Sequence, residues 1–290
     1  HMVACWLTDR GLADGQIARW VVSTSADDGV TWSLPVTPTS FPSPLSTSTS
    51  GDLRVFTNTR GRWIAVWVTP SNAMELVLCA SDDHGATWSP AHRLATTPGA
   101  SSIPLLCGDA NGRWVCVWLS RDFDDLGSRI YATSYSIDNG SSWSPPRALS
   151  RGYPAGATRP PHGLAADDQG HLVVSLALTT GTSSGANSIA TIASDDMGQT
   201  FAAPLTIVAS TTSSGDQYND ATILFNGNDR WLAAWSASLS ADEVGAGNIF
   251  ASYSTDRGRS WSVPQRVSSD ESDRKIRSEY GPAIGLTPAG

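Results

Sequence analysis

Short apolar runs recur along the chain, each bounded by Gly, Pro, Asn or Asp. RWIAVW (62–67), ELVLCAS (75–81) and WVCVWL (114–119) are representative. They are rich in Val, Ile, Leu and Trp, and no long 3.6-residue periodicity competes with them, so they predict β-strands. The order of elements is constant. A first strand such as DLRVFTNT (52–59) is followed by a Gly or Asn turn and a Trp-led strand (RWIAVW). After a variable loop come a third strand (ELVLCAS), an eight-residue polar stretch, and a fourth segment such as WSPAHRLA (88–95).

The eight-residue stretch occurs five times: SADDGVTW (25–32), SDDHGATW (81–88), SIDNGSSW (136–143), SDDMGQTF (194–201) and STDRGRSW (254–261). The shared pattern is Ser-x-Asp-x-Gly-x-(Thr/Ser)-(Trp/Phe). Its aspartates, Asp27, Asp83, Asp138, Asp196 and Asp256, stand 56, 55, 58 and 60 residues apart. A period this regular marks a repeat protein. Four antiparallel strands repeated radially make an all-β propeller, which leaves only short sheet edges, and residues 1–290 read as one such domain. Each letter of the motif suits a reversal between the third and fourth strands. Asp accepts from backbone N–H groups of its own loop, Gly supplies a positive φ, and Ser or Thr satisfies further backbone groups. The closing Trp or Phe is an apolar wedge for the space between neighbouring sheets.

The motif resembles the Asp-box, or bacterial neuraminidase repeat, of the sialidase superfamily. Four copies match in full and the fourth in chain order carries Phe201 in place of Trp. The resemblance implies that the five aspartates are structural and lie on the face away from the substrate. Ligation of Ca²⁺ is the alternative, but the stretch lacks the full oxygen series and distal Glu of a calcium loop. The chain opens on a second strand (MVACW, 2–6) and closes on what aligns as a first strand (EYGPAIGLTPAG, 279–290). Joining these would close a ring of five four-stranded blades. Sialidases usually have six, so the chain is either a small ring or a segment of something larger. His1-Met2 reads as a cloning remnant in front of a sequence from which a signal peptide was removed, and export from a bacterial cell is the expected localisation, with a cytoplasmic one left open.

In a propeller the first strands line the central channel. Their starts, GDLR (51–54), SSIP (101–104), RPPH (159–162), YNDA (218–221) and EYGP (279–282), gather polar groups. Arg159, Arg54, Asp52, His162, Tyr218 and Asp220 are the candidate substrate-binding residues, and a solvated channel mouth is the alternative reading. Sialidases hold the substrate carboxylate with three arginines, use a Tyr activated by a Glu as nucleophile, and use an Asp as acid/base. The resemblance therefore points to Tyr280 with Glu279, and to Asp124 or Asp125 in the loop after Arg121, a stretch that could equally be a charged surface turn. Glu279 neighbours Tyr280 and would point to the other side of a regular strand. Ser102 stands where the family's first arginine is expected.

Composition narrows the partners. Lys plus Arg 19 against Asp plus Glu 27 gives 19 − 27 = −8, with no basic stripe, which argues against nucleic acid. The longest apolar runs are far short of a membrane span. Four cysteines are too few for a disulfide scaffold, and no metal-ligand spacing is present among His84, His92, His162 and His171. Cys107 and Cys116 flank Asn111-Gly112 at equal distance, so a two-residue hairpin would set them opposite each other, either as a cross-strand disulfide or as buried thiols. Gly181-Thr182-Ser183-Ser184-Gly185 fits the nucleophile-elbow pattern but reads as a flexible Gly/Ser loop. Three functions stay open: a glycan-binding or interaction module with an incomplete sialidase set and no cofactor, an exo-glycosidase with a modified site, and a structural scaffold or part of a larger propeller.

Overall fold

A computed structural model describes residues 1–8, 19–41, 53–58, 60–69, 75–95, 104–120, 130–149, 156–157, 161–179, 188–210, 216–239, 248–268 and 282–285. Within them the protein is all-β, in five antiparallel sheets. The first holds β1 (Met2–Thr8) and β2 (Arg19–Ser25), extended by a single bridge from Val22 to Val36. The second holds β3 (Arg54–Thr57), β4 (Trp63–Val68), β5 (Leu76–Ser81) and β6 (His92–Ala95). The third holds β7 (Leu105–Gly108), β8 (Trp114–Ser120), β9 (Ile130–Ser136) and β10 (Arg147–Ala148). The fourth holds β11 (Gly156–Ala157), β12 (Gly163–Ala166), β13 (Leu172–Thr179), β14 (Ser188–Ser194) and β15 (Leu205–Ala209). The fifth holds β16 (Gln217–Phe225), β17 (Trp231–Ser238), β18 (Asn248–Ser254) and β19 (Gln265–Arg266).

The second strands of the four larger sheets, β4, β8, β13 and β17, are central and largely buried on both faces. Alternate side chains serve different neighbours: Trp114, Cys116 and Trp118 of β8 pack against Ile64 and Val66 of the second sheet. Val115, Val117 and Leu119 pack against Leu172, Val174 and Leu176 of the fourth. This explains why these strands read as continuous apolar runs rather than as alternating ones. Four such clusters join the first sheet to the second, the second to the third, the third to the fourth, and the fourth to the fifth. Removing one of their buried aromatic rings costs about 3–5 kcal/mol.

Two turns recur. Between third and fourth strands, the motif serine donates its Oγ–H to the motif aspartate at 2.7–2.8 Å in all five copies. The other oxygen of the same carboxylate accepts the Thr or Ser hydroxyl four residues on at 2.5–2.6 Å. The residue before the glycine takes a left-handed conformation in every copy, with φ between 53° and 65°. Between first and second strands an Asn or Asp accepts backbone N–H groups two and four residues ahead. Asn58, Asp109, Asp167 and Asn226 do this at 2.8–3.3 Å.

This second turn corrects the expected cysteine pairing. Asp109 N–H donates to the Arg113 carbonyl, closing a five-residue connection rather than a two-residue one. The register then sets Cys107 opposite Val115 and Leu106 opposite Cys116. Neighbouring residues of a strand point to opposite faces, so the two thiols face different sheets, and all four cysteines are free. Met2 pairs with the motif Ser25 just as Trp63, Trp114, Leu172 and Trp231 pair with Ser81, Ser136, Ser194 and Ser254. Met2 therefore stands at the repeat position that those four residues hold. The expected closing strand at 279–290 lies outside the described residues except for 282–285, which form no strand.

Candidate functional site

The first strands of consecutive sheets, β3, β7, β12 and β16, lie side by side. Regular first strands would present their groups in one register, but two of them are irregular at one level. The fourth sheet's first strand is split: Ala157 pairs with Leu178, yet the ladder resumes only at Gly163 with Ser175. Pro161 lies in this break, where a residue without an N–H cannot extend the ladder, and His162 directly precedes β12. In β16 the register slips between Asn219 and Thr222. Within that bulge Asp220 takes φ 54°, and no other non-glycine residue within a described strand has a positive φ.

The two irregularities meet. His162 Nε2 lies 3.2 Å from Asp220 Oδ1, with the imidazole about one-third exposed and the carboxylate nearly buried. The backbone around them is held firmly. Ser175 Oγ–H donates to the Ala221 carbonyl, within the bulge. A Cβ on Gly163 would sit 2.6 Å from the Ile223 nitrogen and 2.8 Å from the Ala221 oxygen, so glycine lets the fourth and fifth sheets approach here. Bulges of this kind re-aim a side chain, and a non-glycine residue held left-handed within a strand stores strain that the surrounding packing maintains.

Of the other expected substrate-binding groups, Arg54 opens β3 and is exposed, paired in register with Val66. Tyr218 is 6% exposed and belongs to the cluster between the fourth and fifth sheets, with Val173, Ile189 and Trp235. Its phenol is pushed up by desolvation and by Asp216, so packing rather than presentation accounts for it. Asp52, Arg159, Asp124, Asp125, Glu279 and Tyr280 lie outside the described residues. The signals that could have found the His162–Asp220 pair were the prolines before His162 and the Asn219-Asp220 dipeptide, since Asn and Asp tolerate left-handed backbone best after glycine.

The motif aspartates are held in their own turns. Asp27 and Asp138 are lowered to about 2, first by the hydroxyls of Thr31 and Ser142 and then by backbone N–H groups. For Asp83, Asp196 and Asp256, desolvation pushes upward, but hydrogen bonds from Thr87, Thr200 and Ser260 outweigh it and the net direction is down. Among the described residues no group of three His, Cys, Asp or Glu side chains could hold a metal ion. No described helix is long and apolar enough to cross a membrane.

The sequence matches no protein-family model and no curated protein. Solved structures do match. An α-L-arabinanase of Penicillium chrysogenum, complexed with arabinobiose, aligns at 18% identity and TM-score 0.54, over 74% of this chain and 66% of that one. The α-L-arabinofuranosidase Arb93A of Fusarium graminearum, in complex with an iminosugar inhibitor, aligns at 14% identity and TM-score 0.51, over 76% and 67%. The Hadza microbial sialidase Hz136 aligns at 18% identity over 89% and 54%, with a TM-score of 0.48, too low to decide kinship. The chain thus spans about two thirds of the length of the first two of these structures and about half that of the sialidase. At these identities the likeness shows a shared β-propeller fold and nothing finer.

Proposed function

We propose that the chain is a five-unit, Asp-box propeller module of the sialidase-like kind, which binds a glycan at the starts of its first strands and has an incomplete sialidase catalytic set. The observation that carries this reading is the His162–Asp220 pair. A glycan is recognised through hydroxyls that both donate and accept, and the pair offers a ring nitrogen beside a carboxylate held at a fixed place by a pinned bulge. Ser102, where an arginine would grip a sialic acid carboxylate, argues for binding without sialoside turnover.

The test is a glycan array followed by titration of the best ligand, with His162→Gln and Asp220→Asn alongside. Each substitution is expected to weaken binding by about tenfold or more, and fluorogenic glycosides headed by an α-sialoside are expected to stay intact. Retained affinity in both variants would remove the site from this place. The same pair favours a second reading, because an imidazole beside a carboxylate can move a proton. An exo-glycosidase with a modified site would add Tyr280, Glu279, Arg159 and Asp124 or Asp125, and its turnover would vanish in Tyr280→Phe.

A further inference from the structure

The joint between the first and second sheets brings together two cysteines that stand 74 residues apart in the chain, Cys5 and Cys79. One end of this joint is fixed by the motif turn. A Cβ on Gly85 would lie 2.7 Å from a methyl of Val3, the second residue of β1. The Gly85 N–H donates to Ser81 Oγ at 2.8 Å, at the end of β5. β1 leaves this contact and β5 arrives at it, and same-facing residues recur at every second position of a strand. The next level of the joint therefore holds Cys5 of β1 and Cys79 of β5. Cys79 is fully buried in the cluster between the two sheets, and Cys5 packs against that cluster beside Val3.

The repeat supports this placement. In the next three joints the equivalent positions hold Val66 with Ser134, Val117 with Ile192, and Ser175 with Ser252. Val117 and Ile192 share the cluster between the third and fourth sheets, as the same level requires. Of these four pairs, Cys5 with Cys79 is the one whose side chains can bond covalently. Burial pushes Cys5 up to about 12, and burial followed by the charge of Cys5 pushes Cys79 up to about 12, so the two thiols stand within electrostatic reach of each other. Cys107 and Cys116 are the competing pair. They also act on each other, but they pack into different clusters on opposite faces of the third sheet.

We propose that Cys5 and Cys79 form a reversible clasp, closing to a disulfide between the first and second sheets under oxidising conditions and opening under reducing ones. The oxidant is a small-molecule disulfide. The thiolate of Cys5, the less buried of the two, attacks one of its sulfurs, the small S–S bond breaks, and one small thiolate leaves and takes up a proton. The thiolate of Cys79 then displaces the second small thiolate from Cys5. Two protein thiols are oxidised to one disulfide, and one small disulfide is reduced to two thiols. Because both protein thiols hold their protons well above neutral pH, closure is slow in neutral solution and faster in alkali. A bond across so long a stretch of chain removes much freedom from the unfolded state, so the closed form is the more stable one.

The experiment incubates the whole chain, first reduced, with oxidised glutathione at about pH 9, blocks the remaining thiols under denaturing conditions, and maps the disulfide-linked peptides. Two of the four thiols should disappear, in a single linkage of Cys5 to Cys79. The thermal midpoint of the oxidised protein should rise by roughly 5–10 °C and return when dithiothreitol is added. Cys107→Ala should keep that shift, and Cys5→Ala or Cys79→Ala should abolish it. The peptide map is read on the wild type, so it decides even where a variant does not fold. Four free thiols after oxidation, glutathione left on Cys5, a linkage of Cys107 to Cys116 in its place, or a Cys5–Cys79 bond that leaves the midpoint unmoved overturns the proposal.

Discussion

Asp138 and Asp220 both stand at a left-handed kink, yet they meet it in opposite ways. In the motif turn the carboxylate of Asp138 holds the loop while its neighbour Asn139 carries the positive φ, followed at once by Gly140. The carboxylate's partners there all lie within four residues, and the arrangement repeats five times. In β16, Asp220 itself carries the positive φ, inside a strand, and spends its carboxylate on a histidine from another sheet. The first region shows local chemistry serving the fold. The second shows the fold, through Ser175 and Gly163, holding a local conformation that hydrogen bonding within the strand would not select.

The sharpest way to break the comparison is to attack a motif glycine. Gly198 has φ 79°, and a Cβ there would meet Val115 at 2.6 Å. Gly198→Val should therefore cost about 2–5 kcal/mol, adding left-handed strain to overpacking between the third and fourth sheets. Urea unfolding followed by Trp fluorescence reads this directly. A loss below about 1 kcal/mol would mean that the turn is not held by its neighbour.

Removing the motif carboxylate should cost less. Asp196→Ala leaves the Thr200 N–H and two hydroxyls without their acceptor, but the turn is largely wetted, so about 1 kcal/mol is expected. All five aspartates act in the same direction with pH. Their folded-state values lie below the ordinary 3.8, so their contribution is fully present above that value and is lost as pH falls through the folded value, about 2 for Asp27 and Asp138. Thermal stability should be level from neutral pH to about 4 and should drop between there and about 2. A transition midpoint unchanged across that window would separate the aspartates from the fold's stability.

What was legible in the sequence divides along the same line. The strands of the second repeat were expected at 62–67 and 75–81 and stand at Trp63–Val68 and Leu76–Ser81, because alternate packing against two neighbours leaves an unbroken apolar run. The motif turns were legible because donor, acceptor and glycine lie within eight residues. The Cys107–Cys116 register was misplaced because the acceptor that closes that connection, Asp109, precedes the Asn111-Gly112 dipeptide that draws the eye. Nothing local joins His162 to Asp220, since their meeting depends on two separate strand irregularities from neighbouring sheets.

The smallest effect on stability is expected where the effect on function is greatest. Asp220→Asn keeps a residue that tolerates left-handed backbone and keeps a side-chain oxygen toward His162, so unfolding should move by less than about 0.5 kcal/mol. What it removes is the negative charge beside the imidazole. If the pair is only a fastening between the fourth and fifth sheets, stability will fall and any glycan affinity will follow it in proportion. If the bulge exists to present His162, affinity will fall about tenfold or more with the melting curve unchanged. Measuring both on one sample distinguishes the two, and Asp196→Ala, which weakens the fold far from the pair, supplies the reference for what destabilisation alone does to binding.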